Sequence, residues 1–133
     1  MQEDLSWMLG NILKVPGARH ALLASADGLK RGMTEDLHPD LADRAAAAMS
    51  VLQSISRSAA DFVGPEEEPR WRQTVVEFDH GWLFLVAAGS GAYLAVSASV
   101  DVDMEGITFR MHQLVQSLGE EMTTPLRETA DGT

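Results

Sequence analysis

The stretch Trp82–Val96, WLFLVAAGSGAYLAV, is the most apolar part of the chain, and Ser90 is its one clearly polar side chain. A transmembrane helix needs roughly 20 consecutive apolar residues. This run is shorter, and Gly89 and Gly91 interrupt its centre. Two strands hinged at Gly-Ser-Gly account for the same letters. A phosphate-binding P-loop needs G-x-x-x-x-G-K-[ST] between a strand and a helix, and no Lys follows here. A nucleophile elbow needs Gly two positions before its Ser, where this chain has Ala88. Ser90 is therefore read as a turn residue, and the stretch as a hairpin buried on both faces.

Upstream of this hairpin, Arg70–Phe78 alternates as a strand, with Thr74, Val76 and Phe78 on one face and Trp71 and Val75 on the other. Asp79-His80-Gly81 is its turn. Arg19–Ser25 is a further strand, turned at Ala26-Asp27-Gly28, and Leu29–Met33 returns. That returning strand is short and carries Lys30 and Arg31, which suits a sheet edge.

Three helices are expected. Leu5, Met8, Leu9, Ile12 and Leu13 share one helical face over residues 3–14, and Pro16-Gly17 ends it. A long helix starts near His38-Pro39-Asp40 and runs to about Phe62. It carries a seam of 3.5-residue period, Leu41, Ala45, Ala48, Leu52, Ile55, Ala59 and Phe62. Beside it lies a stripe of smaller residues: Ala42, Ala46, Met49, Ser56 and Ala60. The last helix, capped by Asp101 or Asp103, carries Met104, Ile107, Met111, Leu114 and Leu118, and Gly119 can end it.

The order α-β-β-α-β-β-β-α predicts an α+β fold. Tight turns make a five-stranded sheet antiparallel. Apolar residues on both faces of its middle strands require helices on both sides. The long second helix is expected on one face and the two terminal helices on the other. One domain is expected over residues 1–121, with 122–133 as a loose tail.

Composition narrows the function. Ten Lys and Arg stand against 20 Asp and Glu, a net charge of −10. Nucleic-acid affinity comes mainly from cations that neutralise phosphates, and an anionic membrane surface attracts polybasic segments. Neither partner suits this chain. With no Cys, disulfides, thiolate metal sites and a cysteine nucleophile are excluded. The N-terminus opens acidic without a basic region, so no signal peptide is read. A cytoplasmic protein is expected, with membrane recruitment only through partners.

Candidate chemistry is sparse. Asp101, Asp103, Glu105 and Gly106 imitate the start of a calcium loop, but its twelfth position, which needs a bidentate Glu, is His112. Helix capping explains these acids better. His20, His38, His80 and His112 share no ligand spacing. Glu66-Glu67-Glu68 reads as a solvated loop. Arg57, Arg70 and Arg72 could each reach a partner's nucleotide as a finger, but a surface ion pair explains each of them better. No catalytic residue, cofactor or metal is predicted, and no enzymatic activity.

Several segments together resemble the roadblock/LC7 (dynein light chain type) domains. They are Val15–Ala21 (VPGARHA), Ser25–Leu29 (SADGL), Leu52-Gln53-Ser54, Arg70 with Gln73–Glu77 (QTVVE), Gly81–Val86 (GWLFLV) and Ala92–Val96 (AYLAV). The resemblance spans roughly residues 3–119 and rests on the ensemble. Lys30 and Arg31 depart from it by making the second strand more charged than usual. Within the family the chain is most similar to actinobacterial proteins encoded beside a sensor-kinase-like protein and a small Ras-like GTPase, in clusters called conservons.

The resemblance implies a homodimer that pairs the third strands and packs the long helices together. The interface is expected at Trp71, Thr74, Val75 and Val76 on the strand, with Ala46, Met49, Gln53 and Ala60 on the helix. Such domains have no known catalysis of their own. Some are partners or activators of small GTPases, as the bacterial gliding-motility regulator is, and others are scaffolds. The resemblance therefore implies a regulatory partner of a small Ras-like GTPase, with a sensor-kinase-like protein as a further partner. An adaptor without effect on GTP turnover and a small-ligand sensor are the alternatives.

Overall fold

The computed structural model describes residues 4–89 and 91–131, with side chains described through residue 121. Its strands are β1 (Ala18–Ser25), β2 (Lys30–Met33), β3 (Gln73–Phe78), β4 (Gly81–Ala87) and β5 (Ala92–Ala98). Its helices are α1 (Pro39–Ser58), the short α2 (Ala60–Val63) and α3 (Met104–Asp131). The five strands form one sheet in the order β2-β1-β5-β4-β3, and every pairing is antiparallel.

The opening stretch is the β4–β5 hairpin, with Val86 opposite Leu94 and Leu85 opposite Ala95. Gly89 and Gly91 both have positive φ, +89° and +68°. Only glycine adopts that region without a steric penalty. The reading of Ser90 lies outside the described residues.

Both faces of the sheet are covered, as the expected fold class requires. On one face α1 lays Ala42, Ala46 and Met49 onto Leu22, Ala24, Leu85, Tyr93 and Ala95. On the other, Ile107, Met111, Leu114 and Leu118 of α3 join Leu9, Ile12 and Val15 over Leu23, Phe84, Leu94 and Val96. Burying a Leu or Ile side chain in such a core contributes about 1.5–3 kcal/mol.

Three helical expectations need correction. The long helix ends at Ser58 instead of near Phe62, and α2 follows after Ala59. The N-terminal segment forms two 3-10 turns, Ser6–Met8 and Gly10–Lys14, instead of one α-helix. Their bonds run to the third residue back: Leu9 N–H to Ser6 O, Ile12 N–H to Leu9 O and Val15 N–H to Ile12 O. A 3-10 turn places residues i and i+3 in line, and the buried Leu9, Ile12 and Val15 follow that spacing. At the other end, α3 continues through Gly119 to Asp131, where the sequence reading ended the helix and began a tail. Residues 132 and 133 of that tail lie outside the described residues. Asp103, one of the two expected caps, accepts the Gly106 N–H at 3.1 Å.

A candidate association edge at β3 and α1

The entry into β3 is fixed by a directed chain of hydrogen bonds. Trp71 Nε1 donates to Thr74 Oγ1 at 2.9 Å. Thr74 donates to Ser56 Oγ at 2.7 Å, and Ser56 donates to Leu52 O at 2.8 Å. Arg57 Nε donates to Gln53 Oε1 at 2.6 Å, and its guanidinium lies 5.3 Å from the Trp71 ring centroid. Trp71 also meets Tyr93 edge-on, centroids 5.9 Å apart. This ring of contacts places Trp71 on the α1 face. The sequence reading put it on the opposite face with Val75. Trp71 precedes the first residue of β3, so strand alternation does not govern it.

The expected interface residues separate into two groups. Trp71, Thr74 and Val76 are half-buried on the α1 side of the sheet edge, and Val75 is 44% exposed on the other face. Ala46, Met49 and Gln53 face their own sheet and are 0%, 8% and 7% exposed. They have almost no surface left for a partner. Ala60 is half-buried at the start of α2.

The neighbouring seam divides: Ala45 and Leu52 pack against the core, while other apolar residues of α1 point outward. Leu41, Val51 and Ile55 are exposed at 44%, 58% and 62%. Ser50 Oγ donates to Ala26 O at 2.7 Å, and Lys30 Nζ lies 3.5 Å from Asp43. These contacts turn one flank of α1 toward the β1–β2 hairpin. Residues 41, 48 and 55 lie on the opposite flank, which the Ser56–Thr74 bond turns toward β3. The 3.5-residue seam in the sequence carried this signal. Close helix-to-sheet packing selected the smaller residues Ala42 and Ala46 for the core. Phe62 and Val63, at the helix end, are 95% and 87% exposed.

The other candidate groups do not converge. His38 Nδ1 accepts the Asp40 N–H at 3.1 Å and caps α1. His20 lies 3.3 Å from Asp36, and His112 contacts Thr108 O at 2.9 Å. Among the described residues, no group of three or more His, Asp or Glu could hold a metal ion, and no helix is long and apolar enough to cross a membrane. Arg57 is held against Trp71, while Arg70 and Arg72 are exposed.

Fold and site together define a small α+β module whose β3 edge, among the described residues, is open beside an apolar helix flank. The sequence pattern of the Roadblock/LC7 domain family matches residues 6–98, and the chain belongs to that family. The crystal structure of a Roadblock/LC7 domain from Streptomyces avermitilis is 38% identical, with a TM-score of 0.82. That alignment covers 90% of this chain and 98% of the other. MglB from Myxococcus xanthus superposes with a TM-score of 0.78 at 15% identity, over 93% of this chain and 94% of its own. The gliding protein MglB from Thermus thermophilus reaches 0.74 at 20% identity, over 86% and 84%. At those identities the likeness is one of fold. No curated protein sequence matches the chain.

Proposed function

We propose that this chain is a homodimeric, non-enzymatic regulatory partner of a small Ras-like GTPase, acting in a sensor-kinase-linked system of the conservon type. The observation that carries the reading is the unpaired β3 edge, flanked by the exposed Leu41 and Ile55 of α1. An open apolar edge is a liability that pairing with a second copy removes. Family membership gives that edge its context, because the resemblance implies dimers built on this strand and this helix. The dimer acts by position. A composite surface contacts the GTPase switch segments and biases their nucleotide-dependent states.

The reading is tested in two steps. Light scattering at micromolar concentration should give a dimer, and a monomer would sink the self-association. The protein is then added to a candidate GTPase encoded beside it, loaded with either nucleotide. A changed rate of GTP hydrolysis supports regulation. An unchanged rate with intact binding leaves the adaptor reading in its place.

A further inference from the structure

We propose that the pocket between the end of α1 and the loop entering β3 binds a small phosphate monoester with an apolar body, its phosphate held by Arg57 and Arg70. The site is built within one protomer and does not need a second copy.

The pocket holds about 580 Å³, the size of a small-ligand site. Its walls are apolar: Ala60 and Val63 of α2, Pro65 and Pro69 of the following loop, and Trp71. Val63 is 87% exposed, and a ligand body laid against it removes that apolar surface from water. Small-ligand sites combine such walls with a few placed polar groups. Here Arg57, in the last turn of α1, and Arg70, just ahead of β3, line the same pocket.

Arg57 is set in place by its neighbours. Gln53 is only 7% exposed, and a buried amide needs its bonds met. Its Nε2 donates to Ser50 O at 2.9 Å, and its Oε1 accepts from Arg57 Nε at 2.6 Å. The Trp71 ring, with its centroid 5.3 Å from the guanidinium carbon, backs the same group, and Trp71 is itself held through Nε1 by Thr74. Nε of Arg57 is thereby committed, while its two terminal nitrogens carry no bond among the described residues. They form an oriented pair of donors that fits two oxygens of one phosphate. A basic residue in the last turn also answers the helix dipole. The dipole asks only for charge, whereas Gln53 and Trp71 fix a direction.

Arg70 supplies the second charge. It is exposed and has no ion pair among the described residues. Two arginines match the charge of roughly −1.5 to −2 on a phosphate monoester at pH 7 better than the single charge of a carboxylate. Glu66 also lines the pocket and opposes an anion there. It pairs with neither arginine, since the ion pairs among the described residues are His20–Asp36 and Lys30–Asp43. The Ser56 hydroxyl donates to Leu52 O and accepts from Thr74, so recognition of the head falls to the arginines.

Phenyl phosphate is the probe, titrated into the isotope-labelled protein and followed by NMR. The Trp71 indole N–H and Arg57 Nε–H signals should shift and saturate, while the Trp7 and Trp82 indole signals stay. Phenol carries the body alone and inorganic phosphate the head alone, and each should bind at least about 10-fold more weakly. Arg57→Gln and Arg70→Gln should each weaken phenyl phosphate about 10-fold, as expected for a lost charge-assisted bond. Arg57→Lys keeps the charge but not the planar fork, and should also bind more weakly. Glu66→Gln removes the opposing charge and should tighten binding about 3-fold. Phenol binding as tightly as phenyl phosphate overturns the anion site, and inorganic phosphate binding as tightly overturns the apolar part. Normal affinity in both glutamine variants of the arginines, or weaker binding by Glu66→Gln, overturns the assigned charges. Shifts confined to Trp7 or Trp82, or no saturation at roughly millimolar probe, overturn the proposal outright.

Discussion

The two edges of the sheet are treated differently. At β2 the chain covers its own edge. Leu5 N–H donates to Arg31 O at 2.9 Å, and Met33 N–H donates to Ser6 Oγ at 3.0 Å. Gly32 makes room, since a Cβ there would lie 2.9 Å from Ser6 N and 3.1 Å from Leu5 C. At β3 no described segment plays that role, and Val75 and Phe78 remain about half exposed. Edge strands invite pairing unless something blocks them. One edge is blocked from within the chain, which leaves the other for the proposed self-pairing.

The largest expected effect comes from proline at the open edge. Val75→Pro removes an N–H that points away from β4, a placement edge strands tolerate. It should weaken self-association by about 30-fold, from two lost inter-strand bonds at about 1 kcal/mol each, with the fold retained. Val76→Pro removes an N–H bonded toward β4 and should destabilise the protomer by about 3 kcal/mol. Light scattering and thermal unfolding separate the two outcomes. Loss of the fold in both variants would contradict the assigned direction of the edge.

At the covered edge, Gly32→Ala should cost about 1–3 kcal/mol, because its methyl meets backbone that cannot yield easily. Faster amide exchange at Leu5 and Met33 would show the N-terminal turns lifting away. An unchanged exchange pattern would count against self-covering. On the flank of α1, Ile55→Lys should weaken the dimer about 10-fold, as expected for a charge placed in an apolar contact. Protomer stability should stay within about 0.5 kcal/mol, since Ile55 is 62% exposed.

The smallest effect is on acidity. Hydrogen bonds from the Ser6 side chain and backbone hold the Asp4 carboxyl below its ordinary pKa, with a lesser contribution from Lys30. A depressed carboxylate adds stability above its unfolded pKa, and that stability is lost as pH falls through the lowered value. Acidification should therefore loosen the Asp4–Ser6 anchor of the β2 edge before the β3 edge responds. Leu5 amide exchange measured against pH should show this, and Asp4→Asn should flatten the profile.

Much of the molecule was legible as pattern. The apolar run of Trp82–Val96 with its hinge glycines and the Pro39 start of α1 are local signals, and the structure repeats them. The strand positions of Thr74, Val75 and Val76 were legible for the same reason, since they are read directly from strand alternation. The burial of the helix residues was not legible. Ala46, Met49 and Gln53 form a stripe as regular as Leu41, Ala48 and Ile55, and periodicity does not say which stripe meets the sheet.

The sequence by itself determined the element order, the antiparallel hairpins and the acidic character of the surface, because these depend on neighbours in the chain and on composition. Tertiary structure decided which stripe of α1 is core, where Trp71 turns, and that the N-terminal segment tightens to a 3-10 spacing over β2. Those outcomes depend on the distance between layers. A helix lying close on a sheet selects alanine over leucine for the contact, and the displaced apolar side chains are left beside the edge that no described segment covers.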